Sequence, residues 1–355
     1  MSGAGTQQCD VAPWLMASWQ RCLINGQRPD DDVVFNHVQR SNAKAAADES
    51  LELVKAAQPV MAKLLQAVAD ARYFAILTNA QGVVIDVNGP HIKHDKRMHN
   101  IARVGVDLSE RAVGTTAIGG ALQEQRTVYL HHNEHFFNAT NIYSCAGAPL
   151  IGPDGTCVGM LDITGLDTPE HGALHHFVAH SAQRIENALT LQRDHQLLIR
   201  LNWPGQQTGQ DADGLVCLDH DGWVTAANVN ARNMLGQPLQ QSGQMLHASD
   251  LFAAPFEWLF DQANRAPGAP LETVPTWNGL RLSVTSSKHT HRASHSTGQL
   301  GHSLNPSANS LRDIEAAAVR KAIDDAKGNV AMAAKQLGIS RSTLYRRLGQ
   351  RGSSS

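Results

Sequence analysis

SCAGAPLIGPDGTCVGMLDITG, residues 144–165, decides the fold of the larger part of this chain. Two runs of small and apolar residues, SCAGAPLIG (144–152) and TCVGMLDITG (156–165), flank Pro153-Asp154-Gly155. Proline presets its φ, aspartate bonds its own turn and glycine takes positive φ, so the stretch reads as a β-hairpin. Upstream, YFAILTN (73–79) and VVIDVN (83–88) flank Ala80-Gln81-Gly82 and read the same way. TVYLHH (127–132) adds another strand, and Thr115 to Gln125 reads as a helix between strands. The expectation is an α+β domain with a largely antiparallel sheet.

Outward from this sheet, residues 1–44 read as an N-terminal helical segment, with Trp14, Leu15, Ser18, Trp19 and Cys22 at helical spacing. Both tryptophans read as packing residues or as partner contacts. Residues 45–70 carry Leu51, Val54, Met61, Leu64, Leu65 and Val68 three or four apart, the pattern of one apolar helix face. Pro59 lies inside that run, where a kink is expected. A helix over roughly 169–200 follows, with Leu174, Phe177, Val178, Ile185 and Leu189 as its stripe. It either packs on its own sheet or serves as a dimer-forming signalling helix. Residues 45–200 thus read as one domain. Residues 204–210 read as a linker, 211–286 as a smaller α+β unit and 287–309 as a tether too poor in large apolar residues to form a core.

The chain has 355 residues, 42% hydrophobic and 17% charged, which suits two or three globular domains. Its net charge of −2 excludes a general polycation, so nucleic-acid binding requires a local patch. Five scattered cysteines without CxxC spacing argue against a disulfide scaffold or thiolate zinc site, and fit a reducing cytoplasm. No apolar run approaches the ~20 residues of a membrane span, and the N-terminus lacks a signal-peptide pattern. A cytoplasmic location without membrane contact is therefore expected.

The local patch lies at 310–350. Residues 311–327 read as one helix, Asn329 caps a second at 330–337, and Gly338-Ile339-Ser340 forms a tight turn. Ser340 caps a third helix, in which Ile339, Leu344 and Leu348 face inward. Arg341, Ser342, Thr343, Tyr345, Arg346 and Arg347 then face outward. Residues 340–351 hold four arginines and no acid. This is a helix-turn-helix whose third helix suits the major groove. Arg341, near that helix's start, is placed for bidentate reading of guanine, while Thr343, Arg346 and Arg347 are phosphate contacts.

GNVAMAAKQLGISRSTLYRRL (328–348) resembles the Fis-type helix-turn-helix, which implies a dimer formed in part by the helix at 311–327. ASWQRCLINGQRPD (17–30), ARVGVDLSERAVGTTAIGGALQEQRTVYLHHNEHF (102–136) and SCAGAPLIGPDGTCVGMLDITG (144–165) resemble the sensor region of acetoin-catabolism-regulator-type transcription factors. That sensor contains a GAF domain. Residues 211–286 are similar to a PAS domain. The resemblance implies a multidomain α+β protein with GAF and PAS-like domains and an all-α Fis-type domain. Members of that sigma-54 activator family carry an AAA+ ATPase before the helix-turn-helix. Its G-x-x-x-x-G-K-S/T loop is absent here: none of the nine lysines follows a glycine.

The expected function is sensing coupled to DNA occupancy, without ATP hydrolysis and without enzymatic activity. Expected partners are a double-stranded operator, a second copy of the chain, a small organic effector, and a full-length family member or RNA polymerase. The alternative is a Fis-like architectural or antagonist protein with a vestigial sensor. The effector pocket is expected around Thr115, Thr116, His135, Tyr143 and Cys145. Thr115 and Thr116 either bound the pocket at a helix N-terminus, favouring an anion, or Thr115 caps the helix. Cys145 reads as buried and inert or as reactive, and Asp162 as a structural tie between the sheet and a neighbouring loop. No metal or cofactor is expected: among eighteen histidines, the i,i+4 pairs His171/His175 and His176/His180 lack the glutamate of a zinc-protease motif.

Overall fold

A computed structural model describes residues 11–288, except 37, 68–71, 91, 93–94, 170–171, 237–245 and 266–270. The residues expected to bind DNA (Asn329, Ser340, Arg341, Ser342, Thr343, Tyr345, Arg346 and Arg347) lie outside the described residues, as does most of the expected tether.

The chain opens with α1 (Pro13–Ile24), α2 (Arg40–Glu49) and α3 (Leu51–Ala67), so the single helix expected over 45–70 is two helices that meet at Ser50. Strands β1 (Tyr73–Asn79) and β2 (Val84–Asn88) pair around Gly82, whose φ of 84° suits a residue without Cβ. Three short helices follow: α4 (Lys96–Ile101), α5 (Glu110–Val113) and α6 (Ala117–Glu124). Asp95 caps α4 and Thr116 caps α6 through side-chain oxygens. Then come β3 (Val128–His131), β4 (Tyr143–Ile151) and β5 (Cys157–Leu166), the last two forming the expected hairpin. The antiparallel sheet has the order β2-β1-β5-β4-β3.

Strand alternation divides this sheet between two cores. Ala75, Leu77, Leu161, Ile163, Ala146 and Leu150 face α3 and the long helix α7 (Leu174–Gln192). Phe74, Ile76, Met160, Tyr143 and Cys145 face the opposite layer, with α4, α5 and α6. α6 lies close on β4, because a Cβ at Gly147 would come within 2.8 Å of the Ala117 carbonyl oxygen. Trp14 and Trp19 pack on this second core, and the Trp19 indole donates to the Glu134 carbonyl.

α7 ends at Gln192, where its stripe ends, and not near 200 as expected. Residues 197–202 form β6 (Leu197–Asn202), the centre of a second sheet. Leu197, Leu198, Ile199 and Leu201 are buried on both faces of this strand, so the run LLIRLN carries no clean period-two signal. Strands β7 (Gly214–Leu218) and β8 (Val224–Ala227) follow, then α8 (Val229–Leu235), α9 (Ala248–Leu251) and α10 (Phe256–Gln262), then β9 (Glu272–Pro275) and β10 (Arg281–Lys288). The second sheet is antiparallel, in the order β8-β7-β6-β10-β9. The second sheet therefore includes residues 197–202, ahead of the smaller unit expected over 211–286, and residues 204–210 lie between β6 and β7. The chain is a multidomain α+β protein.

The two sheets are joined through α7 and the β4–β5 turn. Asn228 is 2% exposed and fully bonded. Its Oδ1 accepts from Leu215 N and Ala231 N, and its Nδ2 donates to Asn187 Oδ1 on α7 and to Asp213 O. At the turn, Arg232 Nη2 donates to Pro153 O at 2.7 Å and Ala227 N donates to the same oxygen at 3.0 Å. Removing a partner from a buried, satisfied network leaves its neighbours unpaired, at ~1–3 kcal/mol per orphaned group. Asn228→Ala is expected to lower unfolding stability by about 3 kcal/mol, read as a lower urea midpoint. An unchanged midpoint would mean that the network is not load-carrying.

Candidate functional site

A cavity of about 30 Å³ lies on the α4–α6 side of the first sheet. The sheet contributes Ile76, Tyr143, Cys145, Asp162 and Thr164; the helices and adjoining loops contribute Ile101, Leu108, Val113, Thr116, Ala117 and Ile118. His135 and Thr140 enter from the segment between β3 and β4, and Phe35 from the irregular stretch between α1 and α2. A second hollow, beside Trp203, Asn230 and Asn233, has no titratable lining residue and opens to solvent where Trp203 is 45% exposed.

Four of the five residues expected at an effector pocket meet here: Thr116, His135, Tyr143 and Cys145. Thr115 does not. The backbone at Thr116 is extended, so successive side chains point to opposite sides. The Thr115 hydroxyl bonds Ser18 Oγ at 2.7 Å under α1, where Ser18 also donates to Glu110 and Arg21 forms a two-pronged ion pair with that carboxylate. Thr116, not Thr115, is the helix cap: its hydroxyl oxygen accepts from Gly119 N at 3.2 Å.

Asp162 departs from its expected role. It ties no loop; Thr164 Oγ1, two residues on along the same strand face, donates to its Oδ2. Its Oδ1 is buried with no partner. Desolvation pushes its carboxyl up to about 7, against the opposing hydrogen bond from Thr164. The Cys145 thiol stands 3.3 Å from Thr164 Oγ1. Because that hydroxyl already donates to Asp162, the thiol is the donor to it, which gives a directed chain from Cys145 to Thr164 to Asp162. Burial raises the thiol well above its usual range, then the Asp162 charge raises it further, so Cys145 is an inert thiol.

His135 is the second polar wall. Its Nδ1 lies 2.9 Å from His132 O, and a carbonyl accepts, so Nδ1 carries the proton. Nε2 is left as a lone pair, buried and unpartnered. Burial lowers the imidazole to about 4, only partly opposed by the His132 carbonyl. The Tyr143 hydroxyl donates to Arg97 O at 3.0 Å, and burial raises its pKa. Arg97 in turn bonds Asp167 and Asp95, which fastens α4 over the cavity. Among the described residues no group of three His, Cys, Asp or Glu side chains is placed to hold a metal ion, and no helix is long and apolar enough to cross a membrane.

Sequence reasoning missed Asp162, Thr164, Thr140 and Phe35 as lining residues. The available signal was an acid in the middle of the otherwise apolar MLDITG strand. The other lining residues carry no polar signal, because they are ordinary core side chains that happen to border unfilled space.

Comparison with known proteins finds two matching families. Residues 310–350 match the bacterial regulatory protein, Fis family, and residues 1–187 match the MimR N-terminal domain. The chain belongs to the MimR N-terminal domain family. It is 28% identical over 255 residues to the acetoin catabolism regulatory protein of Cupriavidus necator, covering 70% of this chain and 37% of that protein. It is 26% identical over 213 residues to the acetoin dehydrogenase operon transcriptional activator AcoR of Bacillus subtilis, covering 57% and 34%. The match thus spans about a third of the length of these relatives. The solved Escherichia coli DhaR(N)–DhaL complex aligns over 77% of this chain and 98% of that chain, with 13% identity and a TM-score of 0.47.

Asp162 binds its proton more tightly folded than unfolded, so its contribution to stability is full below about pH 4 and is lost as pH rises through about 7. Glu186, buried on α7 and also pushed up to about 7, acts in the same sense. His135 acts oppositely: its folded value is depressed to about 4, so stability gains as pH rises from there to about 6.5, the unfolded value. Asp162→Asn is expected to flatten the fall in Tm between pH 6.5 and 7.5, where His135 no longer titrates. A variant with the wild-type slope would remove Asp162 from this account.

Proposed function

We propose that this chain is a DNA-binding transcriptional regulator that occupies its operator through residues 310–350 and responds to a small organic effector held in the cavity beside β4 and β5. The observation that carries this reading is the union, in one chain, of a Fis-family region and a domain enclosing a cavity with unpaired polar groups. In this division, residues 1–192 are the GAF sensor, 197–288 the PAS-like unit, 289–309 the tether and 310–350 the DNA-binding domain.

The chain acts as a dimer. Its paired third helices enter successive major grooves, and half-sites lie about one helical turn apart as an inverted repeat. Arg341 reads base edges, while Thr343, Arg346 and Arg347 neutralise phosphates. With no Walker-type lysine in this sequence, regulation works by occupancy, by competition, or by mixed assembly with a full-length relative and RNA polymerase. An effector shifts the balance between arrangements of the dimer only to the extent that it binds one of them more tightly.

Selection of bound fragments from a random duplex pool, followed by gel-shift titration, tests the reading. The expected result is one inverted-repeat motif, with affinity falling steeply between 50 and 200 mM salt. Arg341→Ala with Arg346→Ala should weaken binding at least ~10-fold. An absence of enriched sequence, or affinity untouched by the double substitution, overturns it.

A further inference from the structure

A hollow of about 300 Å³ is bordered by α7, α8 and the loop between β6 and β7. That volume reaches the range of small-molecule pockets, about 300–1,000 Å³. Gln183 enters from α7, Asn230 and Asn233 from α8, where residues three apart share a face, and Trp203 from the loop. Among the described residues the side-chain amides of Gln183, Asn230 and Asn233 have no hydrogen-bond partner, and no charged side chain lines the hollow.

The three walls are tied to one another by other groups. Asn187, one turn beyond Gln183 on α7, donates to Asp211 O at 2.8 Å and so holds the loop. Asn228 Nδ2 bridges Asn187 Oδ1 at 2.7 Å and Asp213 O at 2.8 Å, which fastens α8 to both. The Asp213 carboxylate, with no exposed surface, gathers the loop by accepting from Gly209 N, Gln210 N and Asn202 Nδ2. Asn202 Oδ1 in turn accepts from Trp203 N at 2.8 Å, which sets the start of the segment that carries the indole. The frame is therefore in place before any ligand arrives, and filling it carries little ordering cost.

We propose that this hollow binds a neutral pyranose sugar, stacked by its C–H face on the Trp203 indole and held at its hydroxyls by the amides of Gln183, Asn230 and Asn233. It is a second ligand site, independent of the effector reading, and shares no residue with the cavity beside β4 and β5. Each carboxamide has two donor hydrogens and two acceptor lone pairs, and a hydroxyl is both donor and acceptor. Neighbouring ring hydroxyls can thus give to and take from one amide. The amides stand on two helices, and the hydroxyls of a pyranose radiate around its ring. An indole offers a large rigid face at low conformational cost, and Trp203 leaves 45% of its surface in water. A lining without a cation gives phosphate or carboxylate no counter-charge, so the neutral sugar is the form that fits. Trp203 is the one ring in the described lining, which suits a pyranose stacked on one face better than a base sandwiched between two.

Saturation-transfer NMR on the full chain tests the site, with D-glucose, D-galactose, D-mannose and D-xylose as probes and adenosine and uridine alongside. Melting temperature is a poor readout here, because concentrated sugars stabilise proteins by exclusion from their surface. At least one pyranose should receive saturation at its ring C–H protons and titrate to a plateau. Trp203→Ala, and Asn230→Ala combined with Asn233→Ala, should each weaken that sugar at least ~10-fold. The urea midpoint of each variant reports whether it has folded. Asn233→Ala alone, at the exposed one of the three amide positions, stands in for a double variant that has not, with an expected loss of about 3-fold. No saturable transfer to any of the four sugars, affinity unchanged in the folded variants, or tighter binding of adenosine or uridine at Trp203 overturns the proposal.

Discussion

The helix α7 is the wall that both sheets share. Leu174, Val178, Ala182 and Ile185 pack it against the first sheet, each worth up to ~1.5–3 kcal/mol when a large apolar side chain is fully buried. Further along, Asn187 and Thr190 turn to the second unit: Asn187 bonds Asn228 and Asp211, and the Thr190 carbonyl accepts from the Cys217 thiol. A helix with one apolar stripe and one polar face ordinarily leaves the polar face to water. Here part of that face is buried: Asn187 bonds across the junction, while the Thr190 hydroxyl donates to the Glu186 carbonyl of its own helix. Glu186, 8% exposed, takes the Ile151 amide at the end of β4 in the first sheet.

The cavity obeys the same economy of charge by a different route. Burial acts on an acid and on a base in opposite directions, raising Asp162 and lowering His135. Both changes favour the neutral form, so between about pH 4 and pH 7 the cavity lining carries little net charge. The thiol, hydroxyl and carboxyl of Cys145, Thr164 and Asp162 are aligned in one direction, which leaves a single acid oxygen without a partner.

Much of this was legible in the residues. Pro153-Asp154-Gly155 between two apolar runs gave the β4–β5 hairpin, and Thr116 with the helix behind it placed α6 to within two residues. Thr116, His135, Tyr143 and Cys145 were legible as a group through the resemblance of their segments to a sensor region, not through any spacing of their own. What failed had local causes. The strand β6 lacks alternation because both its faces are covered, so it merged with the preceding helix. Thr115 and Thr116 are neighbours with similar side chains, and only the extended backbone between them decides which enters the cavity. Phe35 lies more than a hundred positions from Cys145, and no spacing rule brings them together.

The β4–β5 hairpin carries a consequence for anyone who dissects this protein. At one end its strands supply Cys145 and Asp162, and at the other its turn is clasped by Arg232 and Ala227. A fragment cut between the two sheets would keep the cavity but strip Asn187 and the Pro153 carbonyl of their partners Asn228, Arg232 and Ala227. Solvent would then reach groups that evolved to be dry, and the severed halves would report on the injury as much as on the parent molecule.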